Sequence, residues 1–199
     1  MNELPFSRTR GLALSATFAA LVSVTGPISI PLPITPVPVT LQVFMVYLTS
    51  MVVGPFYGAL SLAIYLLVGA LGLPVFAGAG SGPLALVAPT GGYLLAFPLA
   101  ALLGGLVASK RSSSRNRDVV RLATSALVAL AVIYTIGVIG LSLSLGIGLY
   151  NATILGAVPF LPLDLAKAVV AVPIAAGMRW SKLELPIRNT GIAAETRAA

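Results

Sequence analysis

The stretch "KRSSSRNRDVVR", residues 110–121, decides the fold because it separates two long uncharged runs. Residues 11–109 contain no Asp, Glu, Lys, Arg or His, and neither do residues 122–163. The chain is 58% hydrophobic and 9% charged, whereas soluble domains are about a quarter charged. So much apolar surface needs a lipid environment, and the sequence therefore predicts an integral membrane protein.

Six apolar segments have roughly the length needed to cross a membrane as helices. They cover about residues 11–27, 39–53, 56–71, 92–108, 122–145 and 162–178. We therefore predict an all-α bundle of six transmembrane helices, forming a single substrate-binding domain over residues 1–199. The apolar run that follows Arg8 and Arg10 is long for a cleaved signal peptide, so we assign it to the first span.

The basic residues test this count, because cytoplasmic loops of membrane proteins carry an excess of Lys and Arg. With six spans, all of the twelve Lys and Arg residues except Lys167 fall on one side of the membrane. They form three clusters: Arg8 and Arg10; Lys110, Arg111, Arg115, Arg117 and Arg121; and Arg179, Lys182, Arg188 and Arg197. Five or seven spans would divide these clusters. We expect a multi-pass protein of the bacterial cytoplasmic membrane with both termini in the cytoplasm.

Two of the loops on the opposite side are long, uncharged and rich in Pro and Gly. The first, "GPISIPLPITPVPVT" (26–40), is rich in Pro throughout and predicts a stiff, extended segment. The second covers residues 72–93. Irregular backbone at membrane depth is tolerated where protein buries it or where it lines a cavity. We therefore expect these outward loops to cap a pocket, with rigid connectors as the alternative.

One acid and one base interrupt the last apolar span, in "PFLPLDLAKAVVA" (159–171). Asp164 and Lys167 are three residues apart, so a helix places them on one face. Ionisable residues within a membrane usually serve function. Lys167 could bind a carboxylate, and Asp164 could accept hydrogen bonds from polarised N–H groups. The alternative is a self-contained pair that holds the end of the helix in place.

Other polar and aromatic side chains could join this site from the loops and the spans that they enter. The candidates are Thr35, Thr40, Gln42, Phe76, Thr90 and Tyr93. Ala16 and Ala20 on the first span form a small-xxx-small pair, which suits close contact with a helix of the same chain or of a partner.

The composition argues against catalysis and against metal binding. The chain has no Cys and no His, and none of its Lys residues follows a Gly as in a phosphate-binding loop. We therefore predict no enzyme activity, no catalytic residue, no cofactor, no metal site and no nucleic-acid partner.

Four stretches together resemble the BioY family, the biotin-binding S components of energy-coupling factor (ECF) vitamin transporters. They are "PVPVTLQ" (36–42), "GLPVFAGAGSG" (72–82), "APTGGYLLAF" (88–97) and "PFLPLDLAKA" (159–168). The resemblance implies six helices, a biotin site beneath the first and third loops and no enzymatic activity. It also implies a transmembrane coupling protein, which Ala16 and Ala20 would contact, and ATP-binding cassette ATPases on separate chains.

Under this resemblance, biotin suits the candidate site residues. Its valerate carboxylate matches Lys167, its ureido N–H groups match Asp164 or a nearby amide, and its rings suit a wall that includes Phe76 and Tyr93. The alternatives are an S component for another small carboxylate vitamin and a solitary facilitator that works without ATPases. A structural or assembly membrane protein without a small ligand is the alternative from a different class.

The chain departs from the family pattern at two positions. Family members usually have Gly where this chain has Leu163, and often have Gly where it has Ala88. Asp164 and Lys167 are retained. The loop before the fourth span lacks an Asn that some relatives carry, which leaves the contacts to the ureido ring open.

Overall fold

The computed structural model describes residues 8–109 and 114–180. Seven α-helices and one two-stranded antiparallel hairpin form the fold within these two ranges. The helices are α1 (Arg8–Thr25), α2 (Gln42–Val52), α3 (Pro55–Ala70), α4 (Gly91–Ser109), α5 (Arg115–Leu145), α6 (Leu149–Gly156) and α7 (Leu161–Trp180). The strands are β1 (Ser29–Leu32) and β2 (Thr35–Thr40), and two short 3-10 turns, Ala77–Ala79 and Pro83–Leu86, lie between α3 and α4.

The long helices run between two ends of a bundle. At one end, Gly11 near the start of α1 lies against the ring of Tyr57 near the start of α3. At the same end, Arg179 near the end of α7 donates a hydrogen bond to the carbonyl of Ala108 near the end of α4. We name this the far end. The β1–β2 hairpin, the 71–90 loop and α6 lie at the opposite end, which we name the cavity end.

Glycines bring α4 and α5 into backbone contact near the cavity end. A Cβ atom built on Gly140 of α5 would lie 2.7 Å from the Cα atom of Gly92 of α4, so neither position has room for a side chain. One turn away, the ring of Tyr93 packs against Gly137 of α5. This close approach holds α4 and α5 as one wall of the bundle.

The distribution of apolar side chains fits a lipid environment. Large apolar residues fill the interior, among them the fully buried Tyr47, Tyr65, Phe97, Met51, Leu62 and Leu122. Equally large apolar residues point outward, for example Leu143 of α5, which is 78% exposed, and Val169 of α7, which is 74% exposed. A bundle that is apolar inside and outside is typical of membrane-embedded helices.

Within the described ranges, three helices are long and apolar enough to cross a membrane by themselves, namely α4, α5 and α7. The apolar helices α2 and α3 are shorter, with 11 and 16 residues. At 1.5 Å per residue, α2 rises only about 16 Å. The second span was predicted at about residues 39–53; the helix covers Gln42–Val52, and Val39 and Thr40 belong to β2.

The connection before α5 also differs from the prediction. The fifth span was predicted from about residue 122, but the helix begins at Arg115 and reaches 31 residues. Asp118 in its first turn interacts favourably with the positive end of the helix dipole, which supports this earlier start. The segment between α5 and α7 contains the short helix α6. Five of the basic residues of the predicted clusters, Lys110, Arg111, Lys182, Arg188 and Arg197, lie outside the described residues.

The first outward loop, predicted to be a stiff, extended segment, forms the hairpin within the otherwise helical fold. Ser29 pairs with Thr40, and the register shifts between Ile30 and Leu32. Pro31, which has no N–H group, sits at this shift. Both strands of a two-stranded hairpin are edge strands, where Pro is tolerated, so a Pro-rich sequence can pair as well as extend.

Candidate functional site

A cavity of about 260 Å³ lies at the cavity end of the bundle. It is enclosed by β2, the 71–90 loop and side chains from α2, α4, α5, α6 and α7. Most of its wall is apolar and includes Val37, Val43, Phe76, Leu94, Phe97 and Phe160. A pocket of this kind selects a largely apolar small molecule and uses a few polar groups to orient it.

Asp164 and Lys167 are the charged residues of the cavity lining, and we name them the cavity pair. The Nζ atom of Lys167 lies 2.7 Å from Oδ1 of Asp164 and also donates a hydrogen bond of 2.7 Å to the backbone carbonyl of Thr40. Asp164 is only 3% exposed, in the first turn of α7, where the helix dipole favours a negative charge. Without a ligand, the two residues therefore bind each other.

The cavity pair keeps hydrogen-bonding capacity for a ligand. An ammonium group has three donor protons, and the contacts to Asp164 and Thr40 use two of them. Lys167 remains partly exposed on the cavity side, so its third proton can reach a bound anion. Asp164 and Lys167 thus form an ion pair, while one proton of Lys167 is available to donate to a ligand carboxylate.

Tyr134 of α5 completes the polar end of the cavity, and our sequence reasoning missed it. Its hydroxyl donates a hydrogen bond of 2.8 Å to Oδ2 of Asp164, and its side chain lines the cavity. The available signal was a tyrosine inside an uncharged apolar span, because a buried tyrosine hydroxyl usually needs a partner. The partner is the one acid in the apolar spans, Asp164.

Five further predicted residues line the cavity, namely Thr40, Gln42, Phe76, Thr90 and Tyr93. The hydroxyl of Tyr93 donates to the backbone carbonyl of Gly156 at 2.9 Å, so this side chain supports the wall and ties α4 to α6. Thr90 immediately precedes α4 and accepts backbone hydrogen bonds at its carbonyl from the first turn of that helix. Both residues therefore contribute to the shape of the cavity.

Gln42 and Phe76 share one neighbour, Tyr65 of α3. The amide Nε2 of Gln42 donates to the hydroxyl of Tyr65, and that hydroxyl donates to the carbonyl of Val75 at 3.2 Å. The Phe76 ring packs edge-on against the Tyr65 ring, with centroids 5.5 Å apart. The carbonyl Oε1 of Gln42 accepts a hydrogen bond of 3.2 Å from the hydroxyl of Thr40. These hydrogen bonds and the ring contact hold Gln42 and Phe76 in place on one side of the cavity.

The structure does not bring Thr35 to the cavity. Its hydroxyl accepts a hydrogen bond of 3.2 Å from the backbone N–H of Val37, a local arrangement common at the start of a strand after a turn. Thr35 instead borders a separate depression beside the hairpin, together with Pro27, Ser29 and Gly78.

The predicted contact residues of α1 lie on the face of the helix that points away from the bundle. Ala16 and Ala20 are both exposed, whereas Ser15 and Ala19 of the same helix are buried against the bundle. The small-xxx-small pair therefore serves no packing within the described residues and is available to another helix.

A second buried ion pair lies at the far end, and we name Asp118 and Arg179 the far pair. Their side chains are 0% and 2% exposed, and Nη2 of Arg179 lies 3.6 Å from Oδ1 of Asp118. The indole N–H of Trp180 donates a hydrogen bond of 3.2 Å to Oδ2 of Asp118. None of these side chains lines the cavity. Among the described residues, no group of three or more His, Cys, Asp or Glu could hold a metal ion.

Comparisons with known proteins bear on this site. The chain is 45% identical over 168 residues to the "Probable biotin transporter BioY" of Pyrococcus horikoshii, covering 84% of this chain and 95% of that protein. It is 44% identical over 176 residues to the "Biotin transporter BioY" of Thermotoga maritima, covering 88% and 98%.

A solved structure shares the fold. The crystal structure of the S-component for biotin from an ECF-type ABC transporter matches with a TM-score of 0.76 and 27% sequence identity, covering 86% of this chain and 92% of that chain. The model of the BioY family matches residues 1–183. With a family match over most of its length, relatives of this identity and this shared fold, the chain belongs to the BioY family.

Proposed function

We propose that this chain captures biotin and takes it up across the cytoplasmic membrane as the S component of an ECF-type transporter. The observation that carries the proposal is the cavity pair, a buried acid and base that face an otherwise apolar cavity. The names of the relatives supply the identity of the ligand, and the geometry supplies a place for a small acid with an apolar body.

The proposed binding mode places the carboxylate of biotin at the cavity pair. Lys167 binds the valerate carboxylate with the donor that it does not use for Asp164 and Thr40. Asp164 is in direct contact with Lys167, whereas the ureido ring lies at the opposite end of biotin from the carboxylate, so the amide of Gln42 is the candidate for the ureido ring. Phe76 and Phe97 supply the apolar wall for the fused rings.

The proposed topology has six crossings, made by every helix except α6. The short α2 is extended toward the cavity end by the hairpin, whose β2 strand ends just before Gln42. The hairpin and the 71–90 loop cap the cavity on the outward side. Arg8, Arg115 and Arg179 lie at or near helix ends on the far side, which the positive-inside rule makes cytoplasmic, together with both termini.

The proposed role is capture and transport within a single domain, without catalysis. ATP hydrolysis belongs to ATP-binding cassette ATPases, and a transmembrane coupling protein connects them to this chain. The exposed Ala16 and Ala20 on α1 are the proposed contact for that coupling protein.

A titration of the purified full chain with biotin, thiamine and riboflavin tests the proposal. We expect saturable binding of biotin alone, with a rise in melting temperature because the ligand binds only the folded form. Absence of binding, or equal stabilisation by all three vitamins, would contradict it. Uptake of biotin into vesicles that contain only this chain would instead support a solitary facilitator.

A further inference from the structure

Tyr47 of α2 is a buried tyrosine whose hydroxyl has no hydrogen-bond partner among the described residues. The residue is 0% exposed, and an unpaired buried hydroxyl costs free energy that folding must offset. The hydroxyls of Tyr65, Tyr93 and Tyr134 all donate hydrogen bonds. Tyr47 is therefore the exception among these four tyrosines.

The position of Tyr47 places it directly behind the cavity. It follows Val43 by four residues, so the two share one face of α2, and Val43 lines the cavity. Helix α2 packs against α5, which carries Tyr134, and against α7, which carries Asp164. Tyr47 therefore lies one helical turn from the cavity lining, on a helix that contacts both of these helices.

Ligand binding changes the charge balance at this point. Within the cavity lining, Asp164 and Lys167 cancel each other, and the contacts of Lys167 to Asp164 and Thr40 already use two of its three protons. A ligand carboxylate adds a second negative charge beside the same ammonium group. Asp164 is 3% exposed, so any weakening of its contact to Lys167 must be compensated by another donor.

We infer that Tyr47 is a positioning residue for Asp164, and that its hydroxyl donates to the Asp164 carboxylate when the ligand carboxylate binds the third proton of Lys167 and weakens the contact between Lys167 and Asp164. The inference rests on the proposed function. Tyr134 already donates to Oδ2, so Tyr47 donates to Oδ1, the oxygen whose contact to Lys167 is weakened. The unpaired hydroxyl of the empty protein thereby becomes paired in the bound protein, and this gain favours ligands that carry a carboxylate.

The test compares biotin with biotinamide, which replaces the carboxylate with a neutral amide, on the purified full chain. The variant Tyr47→Phe removes only the hydroxyl, and Tyr150→Phe is the matched control on the exposed face of α6. For Tyr47→Phe we expect roughly tenfold weaker binding of biotin, since one hydrogen bond to a charged group is lost. Binding of biotinamide and the melting temperature of the empty protein should not fall.

An unchanged affinity of Tyr47→Phe for biotin would overturn the inference. Equal losses for biotin and biotinamide would also overturn it, because they would point to a purely structural role. If the unmodified chain binds biotin more tightly than biotinamide and Tyr47→Phe shows the same two affinities, the proposed function stands and only the inference about Tyr47 fails. If the unmodified chain binds neither ligand, the proposed function fails and the inference falls with it.

Discussion

The cavity pair and the far pair are two versions of the same chemical arrangement. In each, a cation binds a buried carboxylate and a backbone carbonyl: Lys167 binds the carbonyl of Thr40, and Arg179 binds the carbonyl of Ala108. In each, a ring side chain donates to the carboxylate, from Tyr134 in one case and Trp180 in the other. Both arrangements connect α5 with α7, one at each end of the bundle.

The two pairs differ in what surrounds them. The cavity pair has a short 2.7 Å contact and faces open space, with Lys167 still partly exposed to it. The far pair has a longer 3.6 Å contact and lies outside the cavity, closed in by the ends of three helices. We therefore propose that the cavity pair serves binding, because a cavity adjoins it, whereas the far pair holds helices together, because packing surrounds it.

The largest expected effect comes from removing the cation of the far pair. Arg179→Met leaves the fully buried Asp118 without its charge partner, which costs about 3–5 kcal/mol of unfolding free energy. Thermal denaturation followed by circular dichroism measures the loss, and the folded fraction should bind biotin with unchanged affinity. The double variant Asp118→Leu, Arg179→Met should recover most of the stability. A large loss of affinity in the folded fraction would remove the distinction between the two pairs.

Removing the cation of the cavity pair should act on binding instead. We expect Lys167→Met to weaken biotin binding roughly 100-fold, or about 2.7 kcal/mol, because a charged contact to the carboxylate is lost. Its stability should fall less than that of Arg179→Met, since Asp164 borders the cavity and keeps its hydrogen bond from Tyr134. Isothermal titration measures the affinity, and Arg117→Met, at an exposed position, is the control for loss of positive charge. Unchanged affinity would contradict the account.

Tyr134 and Trp180 donate to the two buried carboxylates, and removing these donors should show the same contrast with smaller effects. Tyr134→Phe deletes the hydroxyl that holds Oδ2 of Asp164, and we expect roughly tenfold weaker biotin binding, or about 1.4 kcal/mol. The titration should be accompanied by a melting curve of the empty protein. A fall in stability without a change in affinity would show that Tyr134 serves packing alone.

The smallest effect is expected for the donor at the far end. Trp180→Phe removes the indole N–H that binds Asp118, and we expect a loss of about 1 kcal/mol of stability with no change in affinity. Circular dichroism is the appropriate probe, because Trp180 is the single Trp of the chain and the variant has no tryptophan fluorescence. A change in biotin affinity would mean that the two ends are coupled.

Much of this contrast could be anticipated from the sequence at the cavity end. The spacing of Asp164 and Lys167 predicted one helical face, and the absence of charge around them indicated that both were buried. The two side chains are in direct contact, as the alternative of a self-contained pair requires. Which role dominates in the bound protein cannot be derived from spacing, because it depends on the free volume beside the pair.

The far pair could not be recognised in the same way. Asp118 and Arg179 are each surrounded by other charged or polar residues in the sequence, so both resembled solvated loop residues. Their burial results from the early start of α5 at Arg115 and from the packing of α4, α5 and α7 at one end. The hairpin escaped prediction for a related reason. Proline restricts the backbone of residues 26–40 to extended conformations, but whether two extended segments pair is decided by tertiary contacts.

The most direct test of the central claim compares the affinities for biotin and biotinamide in the unmodified chain and in Lys167→Met. If the cavity pair is a ligand site and Lys167 binds the carboxylate, the unmodified chain should prefer biotin by roughly 30-fold or more. In Lys167→Met the two dissociation constants should become nearly equal. A preference for biotin that survives unchanged in the variant would contradict the account and would leave the cavity pair, like the far pair, a purely structural contact.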